Sequence, residues 1–336
     1  MSNSNLTDIV GSMMQPGKGI LAMDESVGTC NKRFAAIGIP QTAEARQSYR
    51  NMIVTAPGLG KSISGAILFD ETIRQTTKDG RPMAKALEDA GILPGIKVDE
   101  GAKDLAGFPK EKVTEGLDGL RKRFAEYCTL GARFAKWRAV ITIGPQIPSY
   151  TCLLANAHAL GRYAALCQEA GLVPMVEPEV LMEGDHDINT CFDVTRRTLL
   201  VVFEQLFLQR VDFRGMILKP NMVIAGKDCK NQNSIDEVAD ATVECLLQSV
   251  PAAVPGVAFL SGGQSAGDAS AHLNAINKNY KGKLPWVVTF SFARAIQQEA
   301  MEIWKGNETN DSKAQEALVY RADCNAAARR GEYSYP

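Results

Sequence analysis

The sequence predicts an α/β fold, a closed parallel (β/α)8 barrel, on three observations. Eight short apolar runs occur along 336 residues, each separated from the next by sequence of helical periodicity. Every interval is long enough for the crossover of a dozen or more residues that parallel strands need. Polar residues gather at the C-terminal ends of all eight runs. A doubly wound open sheet, the alternative, concentrates them at one reversal of strand order. No internal repeat or low-complexity linker divides the chain, so residues 1–336 read as one domain.

The elements follow in order. Residues 6–14 read as an N-terminal helix lying over one end of the sheet. The first run, 19–25, ends in Asp24 and Glu25, and helical periodicity follows over 30–37 and 42–54. The second run, 65–71, ends in Asp70 and Glu71, before a short helix over 83–90 closed by Gly91. The third is 94–99. A helix over 116–130 carries Leu117, Leu120, Phe124 and Tyr127 at spacings of three and four. The fourth run, 134–141, places Lys136 and Arg138 on one face. A long helix over 149–170 leads to the fifth run, 173–179, and a helix over 187–209 to the sixth, 215–219, which Pro220 stops. Then come a helix over 234–249, the seventh run 257–263, a helix over 268–278, the eighth run 286–291, and helices over 293–305 and 312–330.

Bulk composition excludes several classes. Basic and acidic residues number 37 and 38, so the net charge of −1 gives no support for nucleic-acid binding. No run of eighteen apolar residues occurs, and residues 1–11 lack the apolar core of a signal peptide. The eight cysteines are dispersed without a CxxC pair, which predicts reduced, mostly buried thiols and a cytoplasmic location, with an organellar location of a mature chain left open. His158, His186 and His272 are far apart, so no metal site is expected, and His186 is expected to be solvated. The Gly58–Ser62 segment looks like the end of a nucleotide-binding loop but lacks its first glycine.

In a barrel the C-terminal strand ends share one mouth, which makes neighbours of Asp24, Asp70, Lys97, Asp99, Lys136, Arg138, Glu177, Glu179, Lys219, Ser261 and Arg294. Lys219 is the candidate amine nucleophile. Desolvation and the other two lysines favour its neutral form, and adjacent ionised acids oppose it. Its iminium would draw electrons from an adjacent carbon–carbon bond. Asp24 suits the base for a hydroxyl proton, and Glu177 or Glu179 the proton shuttle. Lys136 and Arg138 suit contacts to substrate oxygens. Ser261-Gly262-Gly263, with Ser291 and with Arg294 opening a helix, matches the phosphate site that such barrels build after strands seven and eight. The plain alternative is a balanced set of ion pairs that only solubilises the mouth of a scaffold protein. Among enzymes, a transaldolase would need one phosphate site rather than two, and a zinc aldolase a histidine cluster.

The stretches Leu21-Ala22-Met23-Asp24-Glu25-Ser26, Ile96-Lys97-Val98-Asp99, Phe134-Ala135-Lys136-Trp137-Arg138, Val176-Glu177-Pro178-Glu179, Leu218-Lys219-Pro220-Asn221, Leu260-Ser261-Gly262-Gly263 and Thr289-Phe290-Ser291 together resemble class I fructose-bisphosphate aldolase. The resemblance covers nearly the whole chain. It implies a TIM barrel, often a homotetramer, that cleaves fructose 1,6-bisphosphate reversibly to dihydroxyacetone phosphate and glyceraldehyde 3-phosphate, in glycolysis and gluconeogenesis, without a cofactor. It implies the Schiff-base role for Lys219, proton transfer for Glu177 with Glu179 in support, hydroxyl deprotonation for Asp24, assistance by Lys136 and substrate binding by Arg138. Ser261, Gly262 and Arg294 then serve the ketose-end phosphate, and Ser26, Thr29 and Lys97 lie near the opposite one. Departures are Val27 and Thr29, where threonine and serine are frequent, Glu100 in place of the lysine of animal members, and Ala293 in place of glycine, whose Cβ is expected to restrict the backbone. Animal-type members carry a mobile tail ending in a tyrosine that assists proton exchange. Here residues 331–336 fall near its start, Tyr335 is not expected to reach the site, and slower or differently assisted exchange is expected.

Overall fold

Each apolar run forms a strand, and the eight strands close into a parallel ring, the (β/α)8 TIM barrel. The structure, a computed structural model, describes residues 4–334. Its strands are β1 (Gly19–Ala22), β2 (Ile63–Leu68), β3 (Leu93–Lys97), β4 (Ala102–Asp104), β5 (Lys112–Thr114), β6 (Phe134–Ile141), β7 (Val173–Val180), β8 (Ile217–Leu218), β9 (Gly256–Phe259) and β10 (Val287–Phe292). The ring runs β1-β10-β9-β8-β7-β6-β3-β2, and β4 with β5 forms a separate antiparallel hairpin. The helices are α1 (Ser4–Met13), α2 (Val27–Ala36), α3 (Ala43–Val54), α4 (Asp70–Ile73), α5 (Met83–Asp89), α6 (Leu120–Thr129), α7 (Tyr150–Glu169), α8 (Ile188–Leu208), α9 (Ile235–Ser249), α10 (Ala266–Asn279), α11 (Arg294–Trp304) and α12 (Asp311–Arg330).

The two-residue period of a strand sorts the side chains. Alternate residues Ile20, Ala22, Ile67, Phe134, Met175, Ile217 and Ala258 point inward and pack together, with Leu6, Ile9, Val10, Met13 and Met14 of α1 closing the N-terminal end. Phe134 fills the space above a strand without a side chain: a Cβ on Gly95 would lie 2.3 Å from its ring. The other set packs outward on the helices, with Phe34, Tyr49, Trp137, Tyr163, Phe259 and Trp304 buried between the layers. Two residues beyond Ala22, Phe134, Met175 and Ile217 come Asp24, Lys136, Glu177 and Lys219, and there the polar set begins.

Several boundaries differ from expectation. The second strand is Ile63–Leu68, because Asp70 opens α4 instead of ending a strand. The sixth run yields only two strand residues, since 213–215 turn as a 3-10 helix and Pro220 offers no donor. α6 starts at Leu120, after Gly116 and Gly119 adopt φ of 125° and 68°. The 59–61 segment is a 3-10 turn whose Gly60 lies against the Ala90 carbonyl. All eight cysteines are free thiols. Among the described residues no helix is long and apolar enough to cross a membrane. Tyr335 lies outside the described residues.

Candidate active site

Four of the expected residues form one continuous row at the mouth. Asp24 follows the end of β1, Lys136 and Glu177 are the inward residues after Phe134 and Met175, and Lys219 follows β8. Lys136 Nζ lies 2.7 Å from Asp24 Oδ2 and 3.0 Å from Glu177 Oε2, and Lys219 Nζ lies 3.0 Å from Glu177 Oε1. The order is acid, base, acid, base. Lys136, Glu177 and Lys219 are each 3% exposed, so the charges must neutralise one another rather than rely on water. The three lysines are therefore interleaved with carboxylates instead of facing one another, with Lys97 on Asp99 at 2.6 Å. Glu177 Oε2 meets Lys136 as an ion pair without an aligned hydrogen bond, which leaves a lone pair for a proton.

The row sets its own ionisation. Burial pushes the Asp24 carboxyl up, but the ammonium groups of Lys136 and Lys219, with Lys97 behind them, outweigh it and hold the group at about 2, below its ordinary 3.8. Burial acts on Glu177 in the same sense and is outweighed by Lys136, Lys219 and Arg138, so it too is lowered. Lys136 is raised, because Asp24, Glu177 and Asp99 overcome the desolvation of its ammonium. At neutral pH both acids are ionised and Lys136 is a cation.

Around this row stands a rim. Arg138, the half-exposed inward residue after Lys136, is ion-paired with Glu179. Asp99 is an organiser: Oδ2 accepts from the Arg138 N–H and Oδ1 from the Gly101 N–H, each at 3.1 Å. Glu100 turns to Arg123, 3.6 Å away, so its negative charge at the lip is partly offset. Ser26 caps α2, accepting from the Thr29 N–H at 3.3 Å, and the two hydroxyls are 3.1 Å apart. Glu25 is not free for chemistry, being clamped by Arg33 and by Arg50.

The opposite edge gathers donor groups of the kind that suit an anion. Gly262 and Gly263 take φ of 53° and 87°, which turns the loop after β9 back over the mouth. Arg294 opens α11 and lies against Gly263, whose added Cβ would sit 3.3 Å from its Nη2. No side chain caps α11, and no carboxylate pairs with Arg294 among the described residues. Ser291 Oγ is buried without a partner. Ala293, expected to restrict the backbone, has φ −104° and ψ −87°, outside the helical and extended regions, and packs on the barrel interior.

These groups line one cavity of about 1240 Å³. Asp24, Ser26, Thr29, Lys97, Lys136, Arg138, Glu177, Glu179, Lys219, Ser261, Gly262, Ser291 and Arg294 all border it. Asp70 reaches only its edge, paired with Arg74 and accepting from Tyr127 Oη at 2.8 Å. Sequence reasoning missed Lys32 and Arg33, which also line it. Their signal was available: Thr29, Lys32 and Arg33 share one face of a helix whose cap is Ser26. The expectation that His186 is solvated fails, since both ring nitrogens are buried and unpartnered in the loop before α8. Among the described residues no cluster of His, Cys, Asp or Glu suits a metal.

Comparison with known proteins agrees with this geometry. The family model for fructose-bisphosphate aldolase class-I matches residues 5–336. A Xanthomonas campestris pv. campestris protein named probable fructose-bisphosphate aldolase class 1 is 57% identical over 334 residues, 99% of each chain. The chickpea (Cicer arietinum) protein named fructose-bisphosphate aldolase, cytoplasmic isozyme is 50% identical over 95% of this chain and 88% of its own. A solved structure of fructose-bisphosphate aldolase from Plasmodium falciparum, in complex with TRAP and a small-molecule inhibitor, superposes with a TM-score of 0.96 at 45% identity, covering 98% of this chain and 95% of its own.

Proposed function

The chain belongs to the class I fructose-bisphosphate aldolase family, a family of lyases, and from that membership we propose that it cleaves fructose 1,6-bisphosphate through a Schiff base on Lys219. The observation that carries the reading is the row Asp24–Lys136–Glu177–Lys219, with contacts of 2.7, 3.0 and 3.0 Å, lying between two anion-binding edges. Glu177 takes a proton from Lys219, and the freed amine attacks the C2 ketone. Glu177 returns a proton to the carbinolamine hydroxyl, which leaves as water and gives the iminium. Asp24 removes the C4 hydroxyl proton. The C3–C4 electron pair moves to the iminium, glyceraldehyde 3-phosphate departs as the aldehyde, and the enamine remains on Lys219. Protonation at C3 and hydrolysis release dihydroxyacetone phosphate. Lys136 keeps both acids ionised. Arg138, oriented by Glu179, contacts substrate oxygens.

Ser261, Gly262, Ser291 and Arg294 hold the ketose-end phosphate, using N–H groups and a guanidinium with no competing acid. Ser26, Thr29 and Lys97, with Lys32 and Arg33, receive the other phosphate. Residues 1–336 act as one barrel domain, the reaction serves glycolysis and gluconeogenesis in the cytoplasm, and the chain assembles as a homotetramer. Family membership supports these last points, and so do the exposed Leu200, Phe207 and Leu208 of α8, apolar surface of the kind copies bury.

Borohydride reduction in the presence of dihydroxyacetone phosphate tests the reading. A covalent adduct is expected on Lys219 and none in Lys219→Met. Turnover of fructose 1,6-bisphosphate should exceed that of fructose 6-phosphate. An unlabelled wild-type chain would sink the mechanism.

A further inference from the structure

Asn221 lies two residues past Lys219 and has no part in the chemistry above. Its position follows from an interrupted ladder. Parallel strands exchange hydrogen bonds at two-residue steps. Between β7 and β8 the last regular bond runs from the Lys219 N–H to the Val176 carbonyl, 2.8 Å. The next donor along β7 would be residue 178, aimed at the Lys219 carbonyl, but Pro178 has no N–H; Pro220 faces β9, where its carbonyl accepts from the Leu260 N–H at 3.1 Å. One step on, the Val180 N–H would meet the main-chain carbonyl of residue 221. It meets the Asn221 side chain instead, donating to Oδ1 at 2.9 Å. The other end of that amide donates to Thr195 Oγ1 of α8 and to the Met222 carbonyl, each at 3.1 Å. Asn221 is only 5% exposed, so water does not readily take over the Val180 donor if the amide is removed.

The Glu177–Lys219 contact lies between these two fastenings, Val176 on one side and Val180 on the other. With Pro178 in the gap, β7 and β8 pair no further than Val176 with Leu218, and the Asn221 amide is the next fastening along the ladder. We propose that Asn221 is a positioning residue: its side-chain carbonyl spans the break left by Pro178 and so sets the approach of Lys219 to Glu177. The inference rests on the Schiff-base reading of Lys219. Loosening the clamp lengthens the Glu177–Lys219 contact, slows proton transfer from the amine and slows imine formation. It leaves the phosphate edges, on β9, α11 and α2, in place.

The test is rapid-quench borohydride trapping of dihydroxyacetone phosphate on Lys219, with thermal melting alongside, in wild type, Asn221→Leu and Thr195→Val. Asn221→Leu is expected to slow imine formation at least about ten-fold, while the ketone concentration for half-maximal rate shifts less than about three-fold. Thr195→Val removes the far partner of the amide and keeps the Val180 bond. It should lower the melting temperature yet hold the trapping rate within about two-fold. If Asn221→Leu does not accumulate folded, Asn221→Ser, too short to reach Val180, makes the same comparison. Wild-type trapping rates in a folded Asn221 variant, or equal slowing in the Thr195 variant, overturn the proposal. Absence of any adduct in wild type overturns the Schiff-base reading, and this inference with it.

Discussion

Replacing Lys136 by methionine isolates the electrostatics of the site, because it removes one charge from a buried row and keeps the volume. The ammonium stands 2.7 Å from Asp24 and 3.0 Å from Glu177. At an effective dielectric of about 20 each contact is worth roughly 6 kcal/mol, and desolvation of the lysine cancels a large part. Breaking a buried pair by deleting one partner leaves a net loss of about 3–5 kcal/mol at pH 7. The pH dependence should change sign. In wild type the Asp24 carboxyl is lowered to about 2 from 3.8, so its contribution, about 2 kcal/mol, is present above the unfolded value and is lost as pH falls through about 2. Without Lys136 the burial that pushes Asp24 upward loses its main counterweight. An acid raised in the fold binds more protons folded than unfolded, so the variant should gain stability as pH is lowered toward 5. Urea unfolding from pH 4 to 8 measures this, and the pH profile of kcat/KM should show its acid limb moved upward. A variant within about 1 kcal/mol of wild type, with an unmoved acid limb, refutes the alternating-charge account.

Three other perturbations address the edges and the frame. Arg294→Ala should raise KM for fructose 1,6-bisphosphate about ten- to hundred-fold, the value of lost charge-assisted hydrogen bonds, and leave borohydride trapping of unphosphorylated dihydroxyacetone unchanged in steady-state and labelling assays. Ser26→Ala should cost about 1 kcal/mol in urea unfolding as the cap of α2 is lost, and should weaken binding of the bisphosphate. Gly95→Ala forces a Cβ to 2.3 Å from the Phe134 ring, so it should destabilise by about 3 kcal/mol or more, with recovery when Phe134→Leu is added. Lack of recovery in the double variant would mean that the backbone at Gly95, not the ring, sets the limit.

The ring was legible because the strand interiors are apolar on both faces and each run ends in polar residues. Phe134–Ile141 matched its run to the residue, and Lys136 and Arg138 share a face as their spacing demands. The β4–β5 hairpin was not legible. Its strands are three residues each, β4 is wholly exposed, and Asn156 rather than an apolar pattern fastens it, accepting from the Thr114 N–H and donating to the Lys112 carbonyl. Asp70 shows the limit of reading charges from strand ends: two residues past Leu68 the chain already turns into α4, so the carboxylate meets Arg74 and Tyr127 at the rim. The three lysines were readable as neighbours, but their separation by carboxylates depends on which acid falls between which strands, a matter of barrel register. Lys97 and Lys136 are register partners on β3 and β6, yet their ammonium groups diverge to Asp99 and to Asp24 with Glu177.

That alternation bears on how the cleavage step can run in a buried site. Asp24 held at about 2 is a weak base while the positive charges on Lys136 and Lys219 persist. In the Schiff-base reaction proposed above, the electron pair of the breaking C3–C4 bond neutralises the iminium on Lys219, and one of the cations that depresses Asp24 disappears. The acid grows more basic as the hydroxyl proton reaches it. The row goes from two negative and two positive charges to one of each, so its net charge is zero at both ends of the step. Lys136 and Glu177, 3.0 Å apart in the middle, remain paired throughout. Charge is removed from the two ends together, and the low-dielectric surroundings never hold an unbalanced ion.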